Sequence, residues 1–209
     1  MRFLDIFFVG RLFNFMKVIV PAECLRVARE LMRLSQSEAG QKADLAQKSV
    51  QRAEKGEASP QVSLKLQSFY EDEGIVFVGS VDIATGSVSG PGAQWKLPPT
   101  FPPNDKEAEK FHSEKIGVNF AAARVLLNKS QKYISSEAKL PEKTVIALER
   151  GAGFNDADFD QLRDYYKKCG VEFLALGDVR RSVYFGVGVR RREVVSALDS
   201  RSEEANCSP

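Results

Sequence analysis

The chain has 209 residues, 43% of them hydrophobic, with 30 Lys and Arg against 28 Asp and Glu and a formal net charge of +2. That length fits one large or two small domains, and so small a net charge excludes a polycation, so a nucleic-acid surface would have to concentrate its positive charge locally. Three scattered cysteines, Cys24, Cys169 and Cys207, are too few for a disulfide framework or a zinc site, and the expectation is reduced thiols in a cytoplasmic protein.

Residues 1–20 form an apolar N-terminal extension, MRFLDIFFVGRLFNFMKVIV. A membrane span needs about 20 mostly apolar residues, and Asp5, Arg11, Asn14 and Lys17 interrupt this one. It also lacks the unbroken apolar stretch and small-residue cleavage site of a secretory peptide, so no membrane partner is expected. Met16 reads as a natural start just ahead of the first helix, which would make residues 1–15 an upstream extension.

From Pro21 the apolar spacing predicts a helix to about Leu34. Ser35 followed by Glu38 is a capping-box pattern that opens a short second helix, closed by a tight turn at Ala43-Asp44. A third helix is expected from about Ala46 to Lys55, with Gly56 as its left-handed stop. Ser59-Pro60 begins a fourth, burying Val62, Leu66 and Phe69. Gly74–Val78, a Gly/Ser-rich loop and Ala93–Leu97 read as a strand pair, with Trp95 in the core. Residues 21–97 make a first domain. Residues 98–112, opening on Pro98-Pro-Thr-Phe-Pro-Pro-Asn, make a stiff, extended linker. A second domain covers 113–192, with helices from about Glu114 to Asn128, Ser130 to Glu137 and Pro141 to Arg150, then strands at Val171–Leu174 and Val183–Val189. Residues 193–209 are a polar tail.

The two domains are copies of one unit. Ala28, Arg29, Leu31, Ser35, Gln36, Ala43, Leu45, Lys48, Val50, Glu54 and Gly56 all recur 95 residues later, ending at Glu149 and Gly151. Beyond a one-residue insertion, Leu66, Tyr70, Gly74 and Phe77 recur 96 residues later as Leu162, Tyr166, Gly170 and Phe173. Small residues at Ala39, Gly40 and Ala43 suit a close helix crossing. With Leu45, Val50 and Ala53 turned inward, the third helix would present Gln47, Lys48, Ser49, Gln51 and Arg52 outward. Such side chains suit duplex DNA: Gln pairs with adenine, Arg or Lys with guanine, and Ser with either.

SQSEAGQKADLAQKSVQRAEKG and SQKYISSEAKLPEKTVIALERG resemble the λ-repressor/Cro-like (XRE-type) helix-turn-helix family. The resemblance covers about residues 22–78 and 117–175. It implies a mainly α fold of two λ-repressor-like helix-turn-helix domains, each followed by a short β-strand pair, with double-stranded DNA as partner. It implies phosphate contact and buttressing by Gln36 and Gln131, and leading base contacts from Gln47 and Glu142. Two departures stand out. The turn carries Asp44 and Lys139 where the family usually has Gly, and the cap positions hold Ala46 and Pro141 in place of Ser or Thr.

The copies also differ from each other. Glu142, Ile146 and Ala147 stand where the first copy has Gln47, Gln51 and Arg52. Residues 22–70 carry eight basic and six acidic side chains, residues 118–166 seven of each. The first copy is therefore expected to be the main reader, the second contributing through Lys132, Glu142, Lys143 and Thr144. Arg180, Arg181 and Arg190–Arg192 form either a phosphate clamp or a solvated basic edge. His112, the one histidine, is expected in a polar lead-in helix, and no phosphate loop, metal cluster or nucleophile–base pair stands out. The expectation is a transcriptional regulator without cofactor, metal or enzymatic activity. The linker, at about 3.3 Å per residue, would let one monomer straddle two unequal half-sites, and a homodimer would pair through strand edges. The competing expectation is an antitoxin-like or anti-activator module that grips a protein with the same scaffold.

Overall fold

A computed structural model describes residues 18–82, 84–152 and 155–192. The part of the extension before Val18, with the expected start at Met16, the polar tail and Cys207 lie outside the described residues. Among them, no helix is long and apolar enough to cross a membrane.

Pro21 precedes α1 (Ala22–Leu31), which buries Cys24, Leu25, Val27, Ala28 and Leu31. Burial pushes the Cys24 thiol up to about 12. The helix stops at Leu31, short of the expected Leu34, because Arg33 turns left-handed at φ 55° and Leu34 N–H bonds back to Arg29 O. Ser35 and Glu38 cap each other reciprocally at the start of α2 (Gln36–Lys42), and those bonds hold the Glu38 carboxyl below the usual range. Then come α3 (Gln47–Ala53), α4 (Pro60–Asp72), β1 (Ile75–Val81) and β2 (Val88–Trp95). Much of the expected Gly/Ser-rich loop is therefore strand, and the hairpin turns around Asp82, whose Oδ1 accepts from the Ala84 and Thr85 amides.

After α5 (Asp105–Ala108) and β3 (Ser113–Glu114), the second set is α6 (Phe120–Leu126), α7 (Gln131–Ala138), α8 (Glu142–Glu149), α9 (Asp156–Lys168), β4 (Val171–Asp178) and β5 (Val183–Arg191). The helix expected from Glu114 begins only at Phe120. Ser113 and Glu114 pair instead with Phe185 and Tyr184 of β5, and Gly117 lies under the Tyr184 ring, where a Cβ would come within 2.7 Å. Asn119 then caps α6 by accepting from Ala122 N–H at 2.9 Å. His112 consequently stands outside any helix and stacks on the buried Trp95, ring centroids 3.9 Å apart.

Among the described residues, five strands form one sheet, ordered β1-β2-β5-β3 with β4 on β5. The two hairpins meet at β2 and β5, antiparallel, with Gly92 opposite Arg190, Ala93 opposite Val189 and Gln94 opposite Gly188. Beneath this seam α1 packs on α6, and both pack on the sheet. One apolar core runs through both units, including Leu31, Val50, Leu66, Phe120, Leu126, Val145, Leu162 and Val189. The Pro-rich segment, expected as a stiff, extended linker, packs against the second unit. Leu97 fills the space above Gly186, Phe101 meets Phe185 edge to face, and Pro103 O accepts from Arg181 at 3.0 Å.

Candidate nucleic-acid interface

Helix α3 has two faces of opposite character. Val50 and Ala53 are fully buried, whereas Gln47, Lys48, Gln51 and Arg52 are exposed and Ser49 is half-buried. Arg52 leans toward the loop beyond the helix, donating to Glu57 O at 3.1 Å. No side chain caps α3, since Ala46 occupies the cap position, and Pro141 leaves α8 in the same condition. An uncapped helix start costs about 0.5–2 kcal/mol, so packing must hold both helices in place.

A buried hub supplies that hold. Glu54, 3% exposed, receives Arg29 Nε at 2.5 Å, Arg29 Nη2 at 3.1 Å and Gln36 Nε2 at 2.8 Å. Its backbone carbonyl accepts from Arg26. One carboxylate thus ties the C-terminal end of α3 to α1 and to the first residue of α2. Burial draws the Arg29 pKa down, but the bonds and charge of Glu54 outweigh it and raise the net value. The second unit repeats the hub with Arg124 Nε at 2.6 Å, Arg124 Nη2 at 3.2 Å and Gln131 Nε2 at 2.6 Å, all on Glu149. Gln36 and Gln131 are therefore half-buried braces with their amide nitrogens engaged inward. Buttressing by Gln36 and Gln131 is what the resemblance implies, whereas their Arg29–Glu54 and Arg124–Glu149 partners were not expected, although Arg and Glu recurring with Gln at polar positions was the signal for them.

The turn between α2 and α3 is fastened twice. Asp44 takes φ 51°, Leu45 N–H donates to Gly40 O at 2.8 Å, and Lys65 reaches from α4 to Asp44 O and Asp44 Oδ2, both at 2.7 Å. A Cβ on Gly40 would lie 2.7 Å from Leu45 O, so a larger residue there must push the turn away. The second unit has Ser135 at that place, and its hydroxyl donates to Leu140 O at 2.6 Å. Gln161, at the position equivalent to Lys65, donates to Ala138 O at 2.7 Å.

On α8 the outward residues are Glu142 and Lys143, both exposed, with Thr144, Ile146 and Ala147 half-buried. Lys132 is exposed near the start of α7. The basic cluster past α9 is mostly committed elsewhere. Arg181 pairs with Asp178 at 2.5 Å and with Asp105, Arg180 pairs with Asp105 at 2.9 Å, and Arg190 pairs with Glu172 at 2.8 Å. These arginines tie β4, β5 and the Pro-rich segment together. Among the described residues no group of His, Cys, Asp and Glu could hold a metal ion.

No family model matches the chain, and neither does any curated protein or solved structure.

Proposed function

We propose that the chain is a cytoplasmic, sequence-specific DNA-binding transcriptional regulator with two tandem λ-repressor/Cro-like helix-turn-helix units, the first being the main reader. One observation carries the reading: a short helix exposes Gln47, Lys48, Gln51 and Arg52 while Val50 and Ala53 anchor it and Glu54 bolts its end to two neighbouring helices. A helix read in the major groove needs just these properties, a polar outer face and a rigid mount. Gln47 and Gln51 suit adenine edges and Arg52 suits guanine, while Lys48 and Ser49 suit phosphate or either base.

The test is a titration of the full chain against duplexes selected from a random pool. Gln47→Ala or Arg52→Ala is expected to weaken binding by about 1–3 kcal/mol and to relax sequence preference. Glu142→Ala and Lys143→Ala should cost less, and affinity should fall steeply with added salt. Equal losses from both units would reverse their ranking, and the absence of sequence-dependent duplex binding would reject the reading. The half-buried Ile146 and Ala147 on α8 favour a second reading, an antitoxin-like or anti-activator surface. A pull-down beside the same titration separates the two.

A further inference from the structure

The seam between the two hairpins has an internal symmetry. Under the offset of 96, Gly92, Ala93 and Gln94 correspond to Gly188, Val189 and Arg190. The observed partners are Gly92 with Arg190, Ala93 with Val189 and Gln94 with Gly188. Gly92 therefore faces the counterpart of Gln94, Gln94 faces the counterpart of Gly92, and Ala93 faces its own counterpart, the isologous pattern of a two-fold axis, which here passes between Ala93 and Val189. The β1–β2 register shifts between Val78 and Ser80, and the β4–β5 register shifts between Leu174 and Leu176, the same places under that offset. Gly92 and Gly188 are both pressed against the opposing strand, where a Cβ would come within 2.2 Å and 2.4 Å of a carbonyl oxygen. The equivalent helices α1 and α6 pack on each other beneath the same seam.

Extended to the helical units, which pack on each other through α1 and α6, a rotation about that axis relates α3 to α8. The two helices are therefore related as in a symmetric dimer, although they belong to one chain. Duplex DNA has two-fold axes perpendicular to its own helix axis, so a two-fold body matches inverted half-sites, whereas a translational repeat would match direct ones. The shared sheet and the fastened Pro-rich segment leave the spacing no slack. The chemistry presented is unequal: Gln47, Gln51 and Arg52 on one side correspond to Glu142, Ile146 and Ala147 on the other. The first set suits adenine and guanine edges, the second a cytosine amine and a thymine methyl.

Resting on the reading proposed above, we infer that a single chain binds one duplex carrying two inverted, chemically unequal half-sites at one fixed spacing.

Site selection from random duplexes with the full chain, followed by native mass spectrometry of the complex, tests this. The expected result is an imperfect inverted repeat of one spacing, with one chain per duplex. One base pair inserted at its centre shifts a half-site by about 3.4 Å and roughly a tenth of a turn, and should weaken binding about tenfold or more. The combined variant Glu142→Gln, Ile146→Gln, Ala147→Arg should select a near-perfect inverted repeat. The converse variant, Gln47→Glu, Gln51→Ile, Arg52→Ala, should select a different one, which keeps the test decisive if either variant fails to fold. A direct repeat, a variable spacing, a lone half-site or two chains on one site would overturn this arrangement while leaving DNA reading intact. Failure to enrich any sequence would remove the reading and this inference with it.

Discussion

Glu54 is nearly sealed from solvent, with both carboxylate oxygens engaged and Arg29 as its charge partner. Truncating it strands a guanidinium that is itself only 15% exposed. Removing one partner of such a pair costs about 3–5 kcal/mol, so Glu54→Ala should lower the stability measured by urea denaturation by about that much. Glu149→Ala should do the same through Arg124. A loss below about 1 kcal/mol in both would mean that water replaces the carboxylate and that the hub does not brace α3. Arg29, Gln36 and Glu54 were legible as positions that recur, and Gln36 as a buttress, but not as three side chains that meet. They are 25 and 18 residues apart along the chain and meet only once three helices have packed. An offset reveals which positions matter, while contact depends on the crossing of the helices.

At the level of single elements, local chemistry was readable and remote chemistry was not. The Ser35–Glu38 box and the positive φ of Gly56 are encoded within a few residues. The overruns at Leu34 and Glu114 have specific causes: Arg33 takes a left-handed conformation without being Gly, and β5 recruits Ser113 and Glu114 from 70 or more residues away. The turn before α8 carries a comparable irregularity. Lys139 sits at φ 54°, in a region that costs an L-residue about 1–2 kcal/mol. Asp44 tolerates the same conformation better and gains Lys65 as a partner. Lys139→Gly should relieve that strain, offset by about 0.5–1 kcal/mol of added freedom in the unfolded chain. The expected outcome is a net gain of up to about 1.5 kcal/mol, seen as a raised thermal midpoint. A loss of stability would show that the lysine side chain contributes more to this turn than its backbone costs.

For the whole molecule, the decisive arrangement lay beyond the sequence. Repetition announced two units, but nothing in either unit's periodicity says that β2 will meet β5, and the prolines suggested separation. A trace was the glycine recurring as Gly92 and Gly188, which the backbone approach at the seam explains. Gly92→Ala would force a methyl against Val189 O and Arg190. Such overpacking costs about 1–3 kcal/mol, so urea or thermal denaturation should show a clear drop, matched by Gly188→Ala. Neutral results at both positions would mean that the strands are not in register there. The seam has a further consequence for how the halves change over time. In an assembly of identical subunits every mutation arrives in duplicate, and the mates drift apart when diluted. Covalent union removes both constraints: each face of this chain can be altered singly, and its pairing holds at any copy number.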